Sequence, residues 1–523
     1  MVIAAKNVRI QRDGVRSPRH PLVVARFPAF APCPSTLLGF GPIHGLHHTE
    51  IDFHRRHDGG VGDHPVILRS GHGARALTGW SYGSLEPVSV HSSIEQAWAS
   101  LRDWAWPPID AADHTKYGDG ADDADDADGA DRSSSDEQDG HPVYPPFIGG
   151  AVGYISYDEG FATQARPRAP RRSTSGLPGS WFGLYDAIYA RNEATQEGLV
   201  LAQPTAGAIA RAERLAQCLT AGIKEGPRPP ALTGRLVGSL DAPVSQRVHQ
   251  QRIREALDLI GRGEIYQVNL VCPRRGRYRG TPAAAFRRLL DQGAPPFSAY
   301  LAIDLDRTLV SASPECFLDV HATSRTATTF PIKGTRARSE DMARDRALAM
   351  ELLASEKDLA EHRMIVDLLR NDLGRLADIP SVVVERCAYL ESFPTVHHLT
   401  SAIRATLPSR FSAVDLLRSM FPGGSITGVP KLRAMEIIDA LEDAPRGVSM
   451  GTIAYLGPDG AMRASVAIRT AEFVHDEVTF MVGGGIVADS DPGQEWIETE
   501  IKAQSLARAL DPARSNPATS NGT

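Results

Sequence analysis

Residues 245–270 read SQRVHQQRIREALDLIGRGEIYQVNL, and this stretch decides the fold class. Ser245 suits a helix N-cap, and Ile253, Leu257 and Ile260 recur at helical spacing, so a helix is predicted to about Ile260. Gly261 and Gly263 end it, and Ile265-Tyr266-Gln267-Val268-Asn269-Leu270 alternates like a strand. Working outward, the pattern predicts further helices at about 340–354, 356–370, 412–420, 430–442 and 494–510. Strands are predicted at 308–312, 381–385, 450–456, 465–472 and 477–482. The two types mix without a βαβ rhythm, so the fold class is α+β with largely antiparallel sheet. Upstream, the apolar, Gly-rich run from Pro145 to Tyr154 (PPFIGGAVGY) suits a buried strand with close backbone neighbours. No internal repeat is visible.

At 523 residues the chain is too long for one small domain. Its composition, 42% hydrophobic and 23% charged, is that of a globular protein in water. The five cysteines (Cys33, Cys218, Cys272, Cys316, Cys387) are far apart and form no CxxC pair, which points to a reducing, cytoplasmic setting. No apolar run reaches the ~18 residues of a membrane span. The net charge of −7 is concentrated in residues 117–140, which hold ten Asp/Glu and one Arg. The remainder is near neutral, so nucleic-acid binding is not expected. That acidic stretch, within an insertion at about 113–144, lacks large apolar residues and reads as a solvated loop. The chain thus divides into an N-terminal region, 1–240, a second, more regular region, 245–510, and a disordered tail, 511–523, with a Gly/Pro-rich soft boundary at 221–244. Residues 1–30 are rich in Arg with Asp13 as the one acid, but lack the Ser content and amphipathicity of a transit peptide. His44, His47, His48, His54 and His57 have no acid or cysteine partner at a regular spacing, which argues against zinc.

Of the 56 Lys+Arg residues only seven are lysine. An Arg cannot give up its proton, whereas a buried Lys can become a neutral amine nucleophile. Lys333 stands in Phe330-Pro331-Ile332-Lys333-Gly334-Thr335-Arg336, where Pro331 fixes one backbone angle and Gly334 leaves the backbone open to a ligand. The competing reading is an ordinary surface lysine in a turn.

Asp358 and Glu361 are three apart on one predicted helix, and Glu495 and Glu498 repeat the spacing on the last, with Lys502 one turn further on. Each helix can therefore present two carboxylates on one face. Two such faces meeting across a cleft call for a cation, and oxygen ligands from few carboxylates favour Mg²⁺. Solvated faces laced by ion pairs are the alternative for either helix alone. Phe421-Pro422-Gly423-Gly424-Ser425-Ile426-Thr427-Gly428-Val429-Pro430-Lys431 is a Gly-rich loop entering a helix, with Pro430 expected as its first residue. Such a loop offers N–H groups to an anion. It is not a Walker A loop, because Lys431 does not follow a Gly and Leu432 replaces the Ser/Thr, so a dicarboxylate fits better than a nucleotide. Gly483-Gly484-Gly485 offers a second close backbone approach, and Arg469 can clamp a carboxylate bidentately. Plain glycine turns and a structural Arg are the alternatives. Glu315 and His398 are acid–base candidates only in company, since a lone Glu or His is usually structural.

Together these residues resemble the chorismate-utilising enzymes, and within them the aminodeoxychorismate synthase component I branch. The likeness is strong over about 245–510 and weaker at Gly149–Asp158, GGAVGYISYD. It rests on long, ordered motifs: IYQVNL, SPE, PIKGTR, AEHRMIVDLLRND, HHL, FPGGSITGVPK, MEIID, IRTA, GGGIVADSDP and ExxExxxK. The resemblance implies the anthranilate synthase component I-like fold, two packed, largely antiparallel sheets flanked by helices. Gln267 stands where isochorismate and salicylate synthases have a water-activating lysine, so water is not the expected nucleophile. Lys333 stands where anthranilate synthases have an alanine, in PIAGTR. FPGGSITG, and residues 294–299 (APPFSA) in place of a tryptophan-binding NPSPYM, point the same way.

The resemblance further implies roles. Mg²⁺ would be held by Glu361 and Glu498, with Asp358 and Glu495 supporting, and would bind the ring carboxylate of chorismate. Gly334, Thr335, Thr427, Arg469, Gly483, Gly484, Gly485 and Lys502 would bind the rest of the substrate. The Lys333 amine would attack ring C2 as the C4 hydroxyl leaves, with Glu315 or His398 as general acid. Ammonia would then add at C4 and expel Lys333, giving 4-amino-4-deoxychorismate for para-aminobenzoate and folate synthesis. No nucleophilic Cys sits in a Gly-flanked elbow, so ammonia is expected from a separate glutamine amidotransferase subunit. Two departures from the family stand out. Ser449 replaces a substrate-contacting Tyr, and Leu37-Leu38-Gly39-Phe40 replaces the LLxS feedback element, which counts against a tryptophan-bound site. The nearest rival is anthranilate synthase component I, forming anthranilate plus pyruvate. A non-catalytic activator of a glutaminase is a more distant one.

Overall fold

The computed structural model describes residues 9–10, 22–27, 65–69, 80–102, 104, 145–163, 176–193, 195, 197–223, 233–293 and 295–511. The acidic stretch 117–140, the N-terminal histidines, residues 37–40 and all but the first residue of the 511–523 tail lie outside them.

Two antiparallel sheets form the body, with helices outside them. The first has thirteen strands among the described residues. Its C-terminal half runs Phe297–Ala302, Arg307–Ser313, Thr470–Val474, Glu477–Ile486, Gln267–Gly280 and Gly234–Asp241, and it continues into N-terminal strands through Val66–Arg69. The second has ten, running from Ile332–Ala337 through Val396–Thr406, Thr326–Thr329, Cys316–Val320, Met462–Val466 and Thr452–Leu456 to Gly150–Ile155, Ser180–Tyr185 and Ser89–His91. Strands from both sides of residue 240 thus enter both sheets. The apolar faces meet in a core that includes Phe147, Tyr154, Tyr185, Ile453 and Tyr455. Burial on both sides explains why strands such as Ala187–Asn192 lack polar alternation.

The leading helix is Gln246–Gly261, capped by the Ser245 side chain, and it leads into the strand that begins at Gln267. The other five predicted helices appear at Met342–Ala354, Glu356–Gly374, Ala413–Met420, Lys431–Leu441 and Pro492–Leu510. Pro430 is the residue before its helix rather than the first one in it. The run 465–472, predicted as one strand, is two. Met462–Val466 lies in the second sheet and Thr470–Val474 in the first, and the chain crosses at 467–469 with Arg469 left-handed at φ 51°. The Lys333 segment is a strand, Ile332–Ala337, whose register shifts between Lys333 and Thr335. Among the described residues no helix is long and apolar enough to cross a membrane.

Candidate active site

The predicted site residues gather where the two sheets meet. Glu315 and Arg469 both lie on crossings from one sheet to the other. Glu315 is held there by its N–H donating to Ser313 Oγ (3.2 Å) and its carbonyl accepting from Val466 N–H (3.1 Å). Lys333 comes from the second sheet, and Gln267 and Gly483–Gly485 from the first. A methyl group on Gly485 would lie 3.0 Å from Gln267 Nε2 and 3.3 Å from Lys333 Nζ, so amine and amide face each other over a bare backbone. The other two glycines serve differently. A Cβ on Gly483 would meet the Leu270 carbonyl at 1.9 Å, so Gly483 permits strand pairing, and one on Gly484 would face Glu495 Oε2 at 3.2 Å.

Gly334 is left-handed at φ 79°, and a Cβ there would strike Leu352 Cδ1 at 2.9 Å and Asp358 Cβ at 3.1 Å. Helix packing and backbone conformation therefore give a structural reason for the glycine, beside the expectation that it leaves the backbone open to a ligand. The bulge turns Lys333 inward and places Thr335 Oγ1 2.9 Å from His398 Nδ1.

The two acidic helices arrive from opposite sides. Glu356–Gly374, capped by Ser355, packs on the Lys333 strand, and Pro492–Leu510, capped by Asp491, packs on the Gly483–Gly485 strand. Their carboxylates divide by partner. Asp358 accepts from Arg336 at 3.2 Å, and Glu495, 8% exposed, accepts from Ser490 Oγ at 2.7 Å. Glu498 pairs with Lys502 at 2.6 Å on the open side, and Lys502 also donates to the Gly483 carbonyl at 3.1 Å. Burial raises the pKa of Glu361, with Asp358 and Glu495 adding like charge against the pull of Lys333 and Lys357. Burial acts upward on Glu498 too, but Lys502, Lys357 and Lys333 together hold it below its ordinary value. Among the described residues no three His, Cys, Asp or Glu side chains converge closely enough to cage an ion. The donor set fits a cation that takes one or two carboxylates and fills its shell from water and substrate, as Mg²⁺ does. Of the four, Asp358, Glu495 and Glu498 are engaged by Arg336, Ser490 and Lys502, so a cation held by Glu361 and Glu498, the pair the resemblance implies, would have to displace Lys502.

Electrostatics separate the reacting groups. Burial lowers the Lys333 pKa, opposed by Glu361, Glu315 and Glu498 and helped by Lys502, a second local cation that the sequence did not reveal as its neighbour. Burial pushes Glu315 up to about 7 against a hydrogen bond from Ser425 and the charge of Lys333. Burial and then Arg469 bring His398 down to about 4, so its imidazole is neutral near pH 7 and Glu315 is the better acid. The Arg469 guanidinium is itself lowered by burial and has no hydrogen-bond acceptor among the described residues, so it is open to a carboxylate.

Three features of the site were not legible. Ser425 holds Glu315, and Lys357 adds charge beside Glu361, Glu495 and Glu498, one turn before Glu361 on its helix. Gln267 is fully buried, and neither amide atom has a hydrogen-bond partner among the described residues, a cost a ligand can relieve. Thr427 donates to the Gly423 carbonyl at 2.9 Å, so its hydroxyl shapes the loop. Ser449 donates to the Thr470 carbonyl at 3.0 Å and is buried in the sheet. Pro296–Ala299 line an inter-sheet cavity of about 50 Å³ with Trp80, Tyr82 and Tyr455.

A half-buried amine, an acid that titrates near neutrality and an open guanidinium can bind a carboxylate and carry out nucleophilic and acid–base chemistry on it. Residues 94–508 match the chorismate binding enzyme family. The aminodeoxychorismate synthase component 1 of Klebsiella aerogenes is 38% identical over 371 residues, 71% of this chain and 79% of that protein. The anthranilate synthase component 1 of Streptomyces coelicolor is 36% identical over 385 residues, 71% of this chain and 74% of that protein. The crystal structure of anthranilate synthase component I from Streptococcus pneumoniae TIGR4 superposes with a TM-score of 0.64 at 25% identity, over 89% of this chain and 95% of that one. The chain belongs to the chorismate binding enzymes.

Proposed function

We propose that this enzyme is an aminodeoxychorismate synthase component I, replacing the C4 hydroxyl of chorismate by an amino group through a Lys333 adduct. The observation that carries the proposal is the Lys333 amine, kept toward its neutral form by burial and set against Gln267 across Gly485, with Glu315 beside it. The neutral amine adds to ring C2, the two ring double bonds shift toward C4, and the C4–O bond breaks. Protonated Glu315 gives its proton to the leaving hydroxyl, which departs as water, and the adduct nitrogen then passes one proton to the Glu315 carboxylate, restoring the acid. Ammonia then adds at C4, the double bonds shift back and the C2–N bond to Lys333 breaks. One proton passes from the incoming nitrogen to the departing amine, so each step balances.

Arg469 and the Gly483–Gly485 backbone would bind the substrate's carboxylates. The amide of Gln267 would orient the incoming nitrogen, in place of a base that would activate water. Mg²⁺ bound at Glu361 and Glu498 would neutralise the ring carboxylate. Ammonia would come from a glutamine amidotransferase partner, in keeping with the relatives' designation as component 1, and the setting would be cytoplasmic. The 36% identity to an anthranilate synthase component supports the second reading, amination at C2 with loss of pyruvate.

The test is product identification by mass spectrometry after incubation with chorismate, Mg²⁺ and ammonium salt, with Lys333→Ala in parallel. Aminodeoxychorismate from the wild type and its strong loss in the variant support the proposal. Anthranilate plus pyruvate would overturn it in favour of the second reading.

A further inference from the structure

Among the described residues Arg446 has no hydrogen bond to Lys333, Glu315 or Gln267, yet its guanidinium is heavily engaged behind them. Its side chain is 1% exposed. Nη1 donates to the Ile426 carbonyl at 2.8 Å, and Nη2 donates to the Asn269 carbonyl and to Glu442 Oε1, each at 2.7 Å. Nε donates to Glu442 Oε2 at 2.8 Å, and the guanidinium lies 4.4 Å from the Tyr157 ring centroid. Glu442 Oε1 in turn accepts from Val271 N–H at 2.9 Å.

Two of these acceptors belong to the backbone that aims the site. Ile426 follows Ser425, whose hydroxyl holds the Glu315 carboxyl. Asn269 lies two residues beyond Gln267 on the strand that faces Lys333. The two segments also touch directly, Asn269 N–H donating to the Thr427 carbonyl at 2.7 Å. One planar fork therefore fixes the separation between the support of the acid and the strand that carries the amide. A lysine, with a single charged head, cannot reach both carbonyls and the carboxylate together.

We infer that Arg446 is a positioning residue, which sets Glu315 against Lys333 through the Ile426 carbonyl and Ser425. The inference rests on the proposed amination, in which Glu315 protonates the leaving hydroxyl. Arg469, which would bind a substrate carboxylate, is not bonded to this fork, and Gly483–Gly485 are reached only through the paired strand, so loss of the fork is felt in turnover more than in binding.

The test uses the full chain with chorismate, Mg²⁺ and ammonium salt, comparing wild type, Arg446→Lys, Ser425→Ala and the double variant, with thermal melting of each. Arg446→Lys is expected to lower kcat roughly 30-fold, from a sub-ångström displacement of the acid, with KM for chorismate changed less than about threefold. Ser425→Ala should lower kcat comparably. Because both act through one contact, the double variant should fall no more than about threefold below the worse single variant. Unchanged kcat in Arg446→Lys, multiplying losses in the double variant, or a loss carried by KM would each overturn the inference. If Arg446→Lys does not fold, Glu442→Asp, which draws the fork away from the two carbonyls, is held to the same criteria. A wild type that does not aminate chorismate refutes the proposed function and takes this inference with it; an active wild type with an unimpaired Arg446→Lys refutes this inference alone.

Discussion

Gly485→Ala tests the facing arrangement on which the chemistry depends. The new methyl would sit 3.0 Å from Gln267 Nε2 and 3.3 Å from Lys333 Nζ, where ordinary contacts are about 3.5–4.0 Å. Gln267 is fully buried, so the strain falls on the amine, which must move by roughly half an ångström. A 1 Å misplacement costs on the order of 100-fold in rate, so a loss of about 10- to 30-fold in kcat is expected, about 1.4–2 kcal/mol of barrier. The Gly485 backbone is not left-handed, so alanine carries no backbone strain there. Stability should change by no more than about 2 kcal/mol, overpacking being partly offset by a less flexible unfolded chain. Gly261→Ala is the control, since a Cβ there has nothing within 4 Å and its φ is ordinary. The assay is ammonia-dependent consumption of chorismate, with urea midpoints measured for all three proteins. Wild-type kcat in Gly485→Ala would show that Lys333 and Gln267 do not confront each other across this residue.

Three further outcomes are expected. Glu315→Gln should lower kcat by about 10²- to 10³-fold by removing the acid, and the wild-type rate should fall above pH 7 as Glu315, raised to about 7, ionises; a flat profile from pH 6 to 9 would argue against its role. Burial raises Asp158 to about 6, so folding favours its protonated form and the stability it supplies below pH 4 is lost as pH rises through 6. Asp158→Asn should therefore gain up to about 3 kcal/mol over wild type at pH 7.5 and almost nothing at pH 4, read by urea unfolding at both. Lys431→Met leaves Asp372 buried and unpaired after losing a 2.5 Å ion pair and should cost about 3–5 kcal/mol, whereas Lys431→Met/Asp372→Leu should recover most of it. A double variant as unstable as the single would contradict that account.

Helical spacing, with a Ser245 cap for the first, locates Gln246–Gly261, Glu356–Gly374 and Pro492–Leu510 without tertiary information, because the spacing is local and repeats over several turns. The 465–472 run looks like one strand in sequence because an apolar stretch does not record which sheet it joins, and the crossing lies at left-handed Arg469 rather than at a glycine. Strands such as Ala187–Asn192 were equally hidden, since burial on both faces erases the alternation that marks a strand.

The sequence by itself determined the α+β class, the rare lysine in PIKGTR, the paired carboxylates at i and i+3, and the family likeness carried by those motifs. These are properties of composition and short spacing. Only the tertiary structure decided which groups can act together. Lys333 and Gln267 are separated along the chain and belong to different sheets, and they come together over Gly485. Glu315 and His398 look alike as lone titratable residues, but burial drives the carboxyl up to about 7 and the imidazole down to about 4. Desolvation disfavours the charged form of each, which is opposite in sign for an acid and a base, and it depends on neighbours that no local spacing records.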